Sequence, residues 1–164
     1  MDELLIELNN IKFPKQERNN IKNFEDEEIR GFVLGLVNLR AFQQKKHNSK
    51  SIISAKTKKQ KYKYIHLLAR NIMLKEDNNF EYTTIQFNKN HQCAKHKDKR
   101  NQGISYIVGL GDYTGGRLIV YDEDGNNPEY IDIKNKFYKF NGSKYPHETE
   151  PFEGERYSLV YFNI

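Results

Sequence analysis

Apolar residues recur along this chain with two periods, and the change between them falls near residue 80. Lys61–Met73 carries Ile65, Leu68, Ala69 and Ile72 at the i, i+3, i+4, i+7 spacing of an amphipathic helix. Ahead of it, Gly31–Leu39 is uncharged and apolar and reads as a strand, with a short helix as the alternative. Residues 1–30 read as a helical or irregular flank, with Asn23-x-x-Asp26 as a helix start, and residues 42–60 as a polar, lysine-rich loop. From Phe80 onward the alternation has period two. It predicts strands at Tyr82–Phe87, Ile104–Leu110, Arg117–Tyr121, Glu129–Ile133, Lys136–Phe140, His147–Glu150 and Tyr157–Phe162. Turn chemistry separates them at Gly111–Gly116, Asp124–Pro128 and Asn141-Gly142. Short strands behind helices predict a mainly β chain with flanking helices, folded as a jelly-roll or cupin-like barrel.

Length and composition narrow this further. The 164 residues suit one domain, with 1–79 as a helical and basic flank and 80–164 as the jelly-roll core. A mean hydropathy of −0.90 and 30% charged residues predict a soluble protein. No run approaches the roughly 18 apolar residues of a membrane span, and the acidic start Met1-Asp2-Glu3 is unlike a signal peptide. A lone cysteine, Cys93, excludes an internal disulfide and fits a reducing, intracellular compartment such as the cytoplasm or nucleus of a host cell. Cys93 itself reads as a small buried residue.

The net charge of +5 is unevenly spread. Between Gly31 and Lys75 there is no Asp or Glu, and eleven Lys and Arg give +11. Such a block reads as a polyanion-binding face, or more plainly as a solvated basic loop. Tyr62 and Tyr64 among the lysines favour nucleic acid, since aromatic rings stack on bases.

The candidate chemistry lies in the β half. His96-Lys97-Asp98 is followed 49 residues after the Asp by His147, and nine residues later by Arg156-Tyr157-Ser158. Two imidazoles and one carboxylate are the ligand set of a non-haem Fe(II) facial triad, which leaves coordination positions open. Taken alone, His-x-Asp is as well explained by a solvated stretch, since Lys95–Arg100 is mostly charged. The order of the residues and the strands around them raise it above that. Arg156 adds a planar cation suited to a carboxylate, and Ser158 adds a hydroxyl. Asn88, Asn90, Asn101 and Ser105 are candidate supporting groups around the triad. His66, His47 and His91 read as packed, loop and decoy residues. Asp122–Asn127 lacks the helices and final glutamate of a calcium loop and reads as a hairpin turn.

On these residues, from Thr83-Thr84-Ile85-Gln86-Phe87-Asn88 through Arg156-Tyr157-Ser158-Leu159-Val160-Tyr161-Phe162, the chain resembles the 2-oxoglutarate- and Fe(II)-dependent dioxygenases. The resemblance implies a double-stranded β-helix with His96, Asp98 and His147 holding Fe(II). It implies that 2-oxoglutarate is anchored by Arg156 and Ser158 with Asn88 nearby, and that dioxygen is the second co-substrate. In such a barrel His96 and Asp98 end one strand, and His147 lies on a facing one. The stretches Gly109–Leu118 and His147–Ser158 are similar to small single-domain oxygenases of large DNA viruses, phages and algae, akin to the TET and base-J-binding nucleobase oxygenases. That implies hydroxylation of the methyl group of 5-methylcytosine or thymine in DNA, with the 31–75 segment as the nucleic-acid surface. The nine-residue step from His147 to Arg156 is equally at home in prolyl hydroxylases, so a protein substrate is the alternative. A metal-binding barrel without catalysis is the third reading.

Overall fold

A computed structural model describes residues 1–164. The strands that build it are β1 (Arg30–Asn38), β2 (Ser51–Ile53), β3 (Thr84–Lys89), β4 (Ser105–Gly115), β5 (Leu118–Val120), β6 (Glu129–Ile131), β7 (Tyr138–Phe140), β8 (His147–Thr149) and β9 (Phe152–Phe162). They pair antiparallel in two sheets, a six-stranded one in the order β2-β1-β3-β9-β4-β7 and a three-stranded one in the order β6-β5-β8. The double-stranded β-helix expected from the sequence is present as two facing sheets, not as a closed barrel. Three helices accompany them: α1 (Asp2–Asn10), α2 (Ala41–His47) and α3 (Gln60–Glu76).

Alternation along β3, β4 and β9 sorts side chains onto two faces. Ile85 and Phe87, Val108 and Leu110, and Tyr157, Leu159 and Tyr161 join Leu4 and Leu8 of α1 and Ile65, Ala69 and Met73 of α3 in a 19-residue apolar cluster. This cluster is the main core, and it lies between the large sheet and the helices. The intervening residues face the other way, and many are polar. Gln86, Asn88, Arg156 and Ser158 are all buried there. Only a five-residue apolar group, Ile107, Leu118, Val120, Ile133 and Phe140, fills part of the space between the sheets. Buried polar groups need partners, and here Gln86 donates to Asn88 and Asn88 to Ser158, which gives the space between the sheets a polar lining.

Four sequence expectations need correction. Asn23 starts no helix: its side chain donates to the Gln92 carbonyl and its amide to Glu27, tying the segment down as a bend and turn. Residues 42–60 are not a plain loop, since they hold α2 and the edge strand β2, which adds to β1 through three residue pairs. The strand expected at Lys136–Phe140 begins only at Tyr138, because Asn135 takes a left-handed turn conformation.

The fourth correction matters for function. Gly111–Gly116 is not a turn: β4 runs on to Gly115, paired with β9 down to Phe152. Gly111 allows this at φ +120°, where a Cβ would stand 2.2 Å from the Glu155 carbonyl oxygen. Gly111→Ala is therefore expected to cost at least the roughly 1–3 kcal/mol of a strained backbone, read as a lowered midpoint in chemical unfolding.

Candidate metal and co-substrate site

His96 and Asp98 lie on an irregular segment, not at the end of a strand as expected. That segment is held as firmly as a strand would hold it. His96 and His147 exchange both backbone hydrogen bonds at 3.0 Å, and the Asp98 amide donates to the Gly142 carbonyl at 2.9 Å. The two histidines are thus neighbours across one bridge, with His147 on β8 beside His96 rather than facing it.

The side chains converge. One ligand atom from each of His96, Asp98 and His147 lies within 4.8 Å of the others. Nδ1 of His96 stands 2.6 Å from the Ala94 carbonyl and Nδ1 of His147 stands 2.9 Å from that of Tyr145. A carbonyl only accepts, so each Nδ1 carries the proton, and each Nε2 is left to face Asp98 at 3.3 and 3.2 Å. An Nε2 lone pair beside a carboxylate oxygen repels it unless positive charge lies between them. That charge is supplied by a second proton on each ring or by a metal ion. Burial pushes the Asp98 carboxyl up, but hydrogen bonding and charge from His147 and His96 outweigh it and hold it well below the usual carboxylate range. The group is an ionised, imidazole-rich donor set, and it fits a divalent transition metal.

The triad opens into a cleft between the sheets. Asn88, Asn101 and Ser158 line it, as expected for groups around the triad. Asn88 donates to Ser158 at 3.0 Å, which leaves the serine hydroxyl's own proton free. Asn90 supports from behind: its amide donates to the Arg156 carbonyl, and its side-chain oxygen accepts the Arg156 amide, both at 2.7 Å. Ser105 is buried with its hydroxyl unpartnered and does not line the cleft.

Arg156 does not line the cleft either; it lies deeper, 3% exposed. Its Nε donates to the Gly116 carbonyl at 3.2 Å, and no carboxylate pairs with it. Burial pulls its pKa below the ordinary arginine range, against a smaller opposing effect of Tyr113. Tyr113 packs its ring 5.5 Å from the guanidinium carbon, and its hydroxyl is buried without a hydrogen-bond partner. A Cβ on Gly109 would stand 2.3 Å from that hydroxyl, so the glycine makes room for it. An unpaired buried cation beside an unpaired buried donor is costly to leave empty. Together they fit one carboxylate.

Two residues of the site carry no sequence signal. Tyr113 lies in the glycine-rich stretch Gly111–Gly116, whose composition reads locally as a turn. Arg18 lines the cleft from the N-terminal segment, donating to Asn88 at 3.0 Å. Of the other candidates, His91 is buried between the Ile21 carbonyl and Glu27, His66 sits on α3 and His47 is exposed, so none joins the triad. Cys93 lines the cleft, and burial raises its thiol pKa, keeping it neutral. Asp122 spends its carboxylate on Asp124, Asn126 and Asn127, and so forms the turn expected of it.

No protein-family model and no curated protein sequence matches the chain. Solved structures do. A 2OG-Fe(II) oxygenase family oxidoreductase from Burkholderia pseudomallei superposes with a TM-score of 0.63 at 16% identity, over 98% of this chain and 75% of that one. NgTET1 in complex with 5mC DNA gives 0.53 at 19% identity, over 86% of this chain and 61% of its own length. A Pseudomonas putida prolyl-4-hydroxylase gives 0.53 at 13% identity, over 98% and 82%. What this chain shares with all three is the double-stranded β-helix fold of the 2OG-Fe(II) oxygenases.

Proposed function

We propose that this chain is an Fe(II)- and 2-oxoglutarate-dependent dioxygenase that hydroxylates a C–H bond, with a nucleobase methyl group in DNA (5-methylcytosine or thymine) as its substrate. The observation that carries the reading is a converging His-Asp-His triad in a chain that also buries Arg156 without a carboxylate partner and the Tyr113 hydroxyl without a hydrogen-bond partner. A metal-binding barrel without catalysis has no use for a buried cation kept without a partner.

His96, Asp98 and His147 would hold the iron, which when bound supplies the oxidative decarboxylation of 2-oxoglutarate by dioxygen and the hydroxylation of the substrate. The protein's own groups do the positioning. Arg156 and Tyr113 take the distal carboxylate of 2-oxoglutarate, the first as a charged fork and the second as a donor that burial keeps protonated. Ser158, with Asn88 occupying one lone pair, turns its proton into the cleft toward the co-substrate. Ile107, Leu118 and Phe140 along the inner cleft limit the water that reaches the reacting groups there.

Tyr113→Phe separates this role from a packing role. Losing one hydrogen bond to a charged group is worth about 1.5–3 kcal/mol, so the KM for 2-oxoglutarate is expected to rise roughly tenfold or more. Thermal stability without co-substrate is expected to hold or rise, because an unpartnered buried hydroxyl has gone. A fall in stability with KM unchanged would contradict the assignment.

Support for a nucleobase substrate comes from the likeness to NgTET1 solved with 5mC DNA and from the cations at the cleft mouth. The prolyl-4-hydroxylase superposes equally well, which keeps a protein substrate as the second reading. The test is succinate formation from 2-oxoglutarate under air with Fe(II), with and without DNA carrying 5-methylcytosine and thymine, using His96→Ala as the blank. Succinate that rises with DNA supports the nucleobase reading. Succinate indifferent to DNA and raised by peptide overturns it in favour of a protein hydroxylase.

A further inference from the structure

None of the eleven cations between Gly31 and Lys75 lines the cleft at the triad, although that block was the surface the sequence offered to nucleic acid. A second cleft does open beside the triad. It is lined by Asn20 and the run His96–Asn101, without one apolar residue, and it shares His96, Asp98 and Asn101 with the inner cleft. Lys97 sits between two of the triad residues, and Lys99 and Arg100 follow directly.

Three features make this run more than a solvated charged stretch. It is anchored, since the Asp98 amide is fixed to the Gly142 carbonyl and the Asn101 amide closes a turn onto the Asp98 carbonyl at 3.0 Å. The backbone that carries the three cations therefore keeps a set position relative to the triad. No carboxylate pairs with any of the three, whereas Lys144 is held by Glu123 at 2.9 Å and Lys136 by Asp132 at 3.2 Å. And Arg18 continues the positive charge into the inner cleft itself.

We propose that Lys97, Lys99 and Arg100 form a phosphate-binding strip that seats the backbone of a single-stranded nucleic acid beside the triad, so that one nucleotide turns into the inner cleft. The inference rests on the dioxygenase reading above and deepens it by placing the substrate. Free, anchored cations are what a phosphate backbone recruits, and such contacts position a strand without reading its sequence. A peptide would require buried apolar anchors, and this cleft has none. A single strand already presents its bases, so no unstacking is required before one reaches the triad.

The test is fluorescence anisotropy of a labelled single-stranded oligonucleotide with the full chain, across a salt series. The triple variant Lys97→Ala, Lys99→Ala, Arg100→Ala is compared with Lys58→Ala, Lys59→Ala, Lys63→Ala from the outer basic block. Each phosphate contact on a single strand contributes about 0.7 to the salt slope. Loss of the strip is therefore expected to flatten that slope by about two and to weaken binding roughly tenfold or more. The outer variant is expected to stay within about twofold of the wild type. The strip is overturned by a wild type that does not bind, by an unchanged strip variant, or by an outer variant that loses as much. Mn(II) titration of the same wild type and of His96→Ala reads the triad separately. Metal binding lost in His96→Ala, alongside a failed strip, discards the strip and keeps the metal site.

Discussion

His147→Ala is expected to abolish Fe(II)-dependent formation of succinate from 2-oxoglutarate. The imidazole supplies one of three converging donor groups, with Nδ1 pinned by the Tyr145 carbonyl so that Nε2 points at the centre. Losing even an outer partner of a metal ligand costs roughly 10–100-fold in affinity or activity, and losing the ligand itself exceeds that. The fold should survive, because the paired backbone bonds between residues 96 and 147 do not involve the side chain. An unchanged circular dichroism spectrum with no succinate is the expected pair of results. Full turnover in this variant would refute the triad.

The second large effect is expected at Arg156. Removing one partner of a buried, hydrogen-bonded charge pair costs about 2–5 kcal/mol, so Arg156→Met should raise the 2-oxoglutarate KM by roughly 30-fold or more. The effect on kcat at saturation should be smaller. Stability separates this account from a packing role. Arg156 is 3% exposed and no carboxylate of the chain pairs with it. Replacing an uncompensated buried charge by an apolar chain of similar length is neutral or stabilising. The variant's Tm without 2-oxoglutarate should therefore match or exceed the wild type's, and the rise that 2-oxoglutarate gives the wild type should disappear. A large loss of stability with KM unchanged would make Arg156 a structural residue.

What the sequence could show, and what it could not, follows from the kind of signal each residue carries. His96, Asp98 and His147 were legible because metal ligation demands particular side chains in a particular order, between strands whose alternation is plain. Arg156 and Ser158 were legible because the alternation of β9 runs through both of them. Tyr113 was not, since Gly111 reads locally as a turn. Only the pairing with Glu155 and Arg156 shows that the strand bends there and continues. Arg18 was beyond sequence reasoning because a long-range path of the N-terminal segment, fixed by contacts such as Asn23 to Gln92, brings it to the cleft. Charge density says less for a related reason. The density of Lys and Arg between Gly31 and Lys75 was correct as a count, but a count carries no direction. The smaller group at Lys97–Arg100 is the one beside the triad. Expectations also failed where edges decide the outcome, as with β2, which is a strand because β1 offers an open edge to pair with.

Calorimetric titration of 2-oxoglutarate into the protein, with and without Mn(II), asks whether the triad and the buried Arg156 act on one co-substrate. Binding is expected to tighten strongly when Mn(II) is present and to weaken in Arg156→Met. Equal binding without metal, or none in its presence, would mean that they do not.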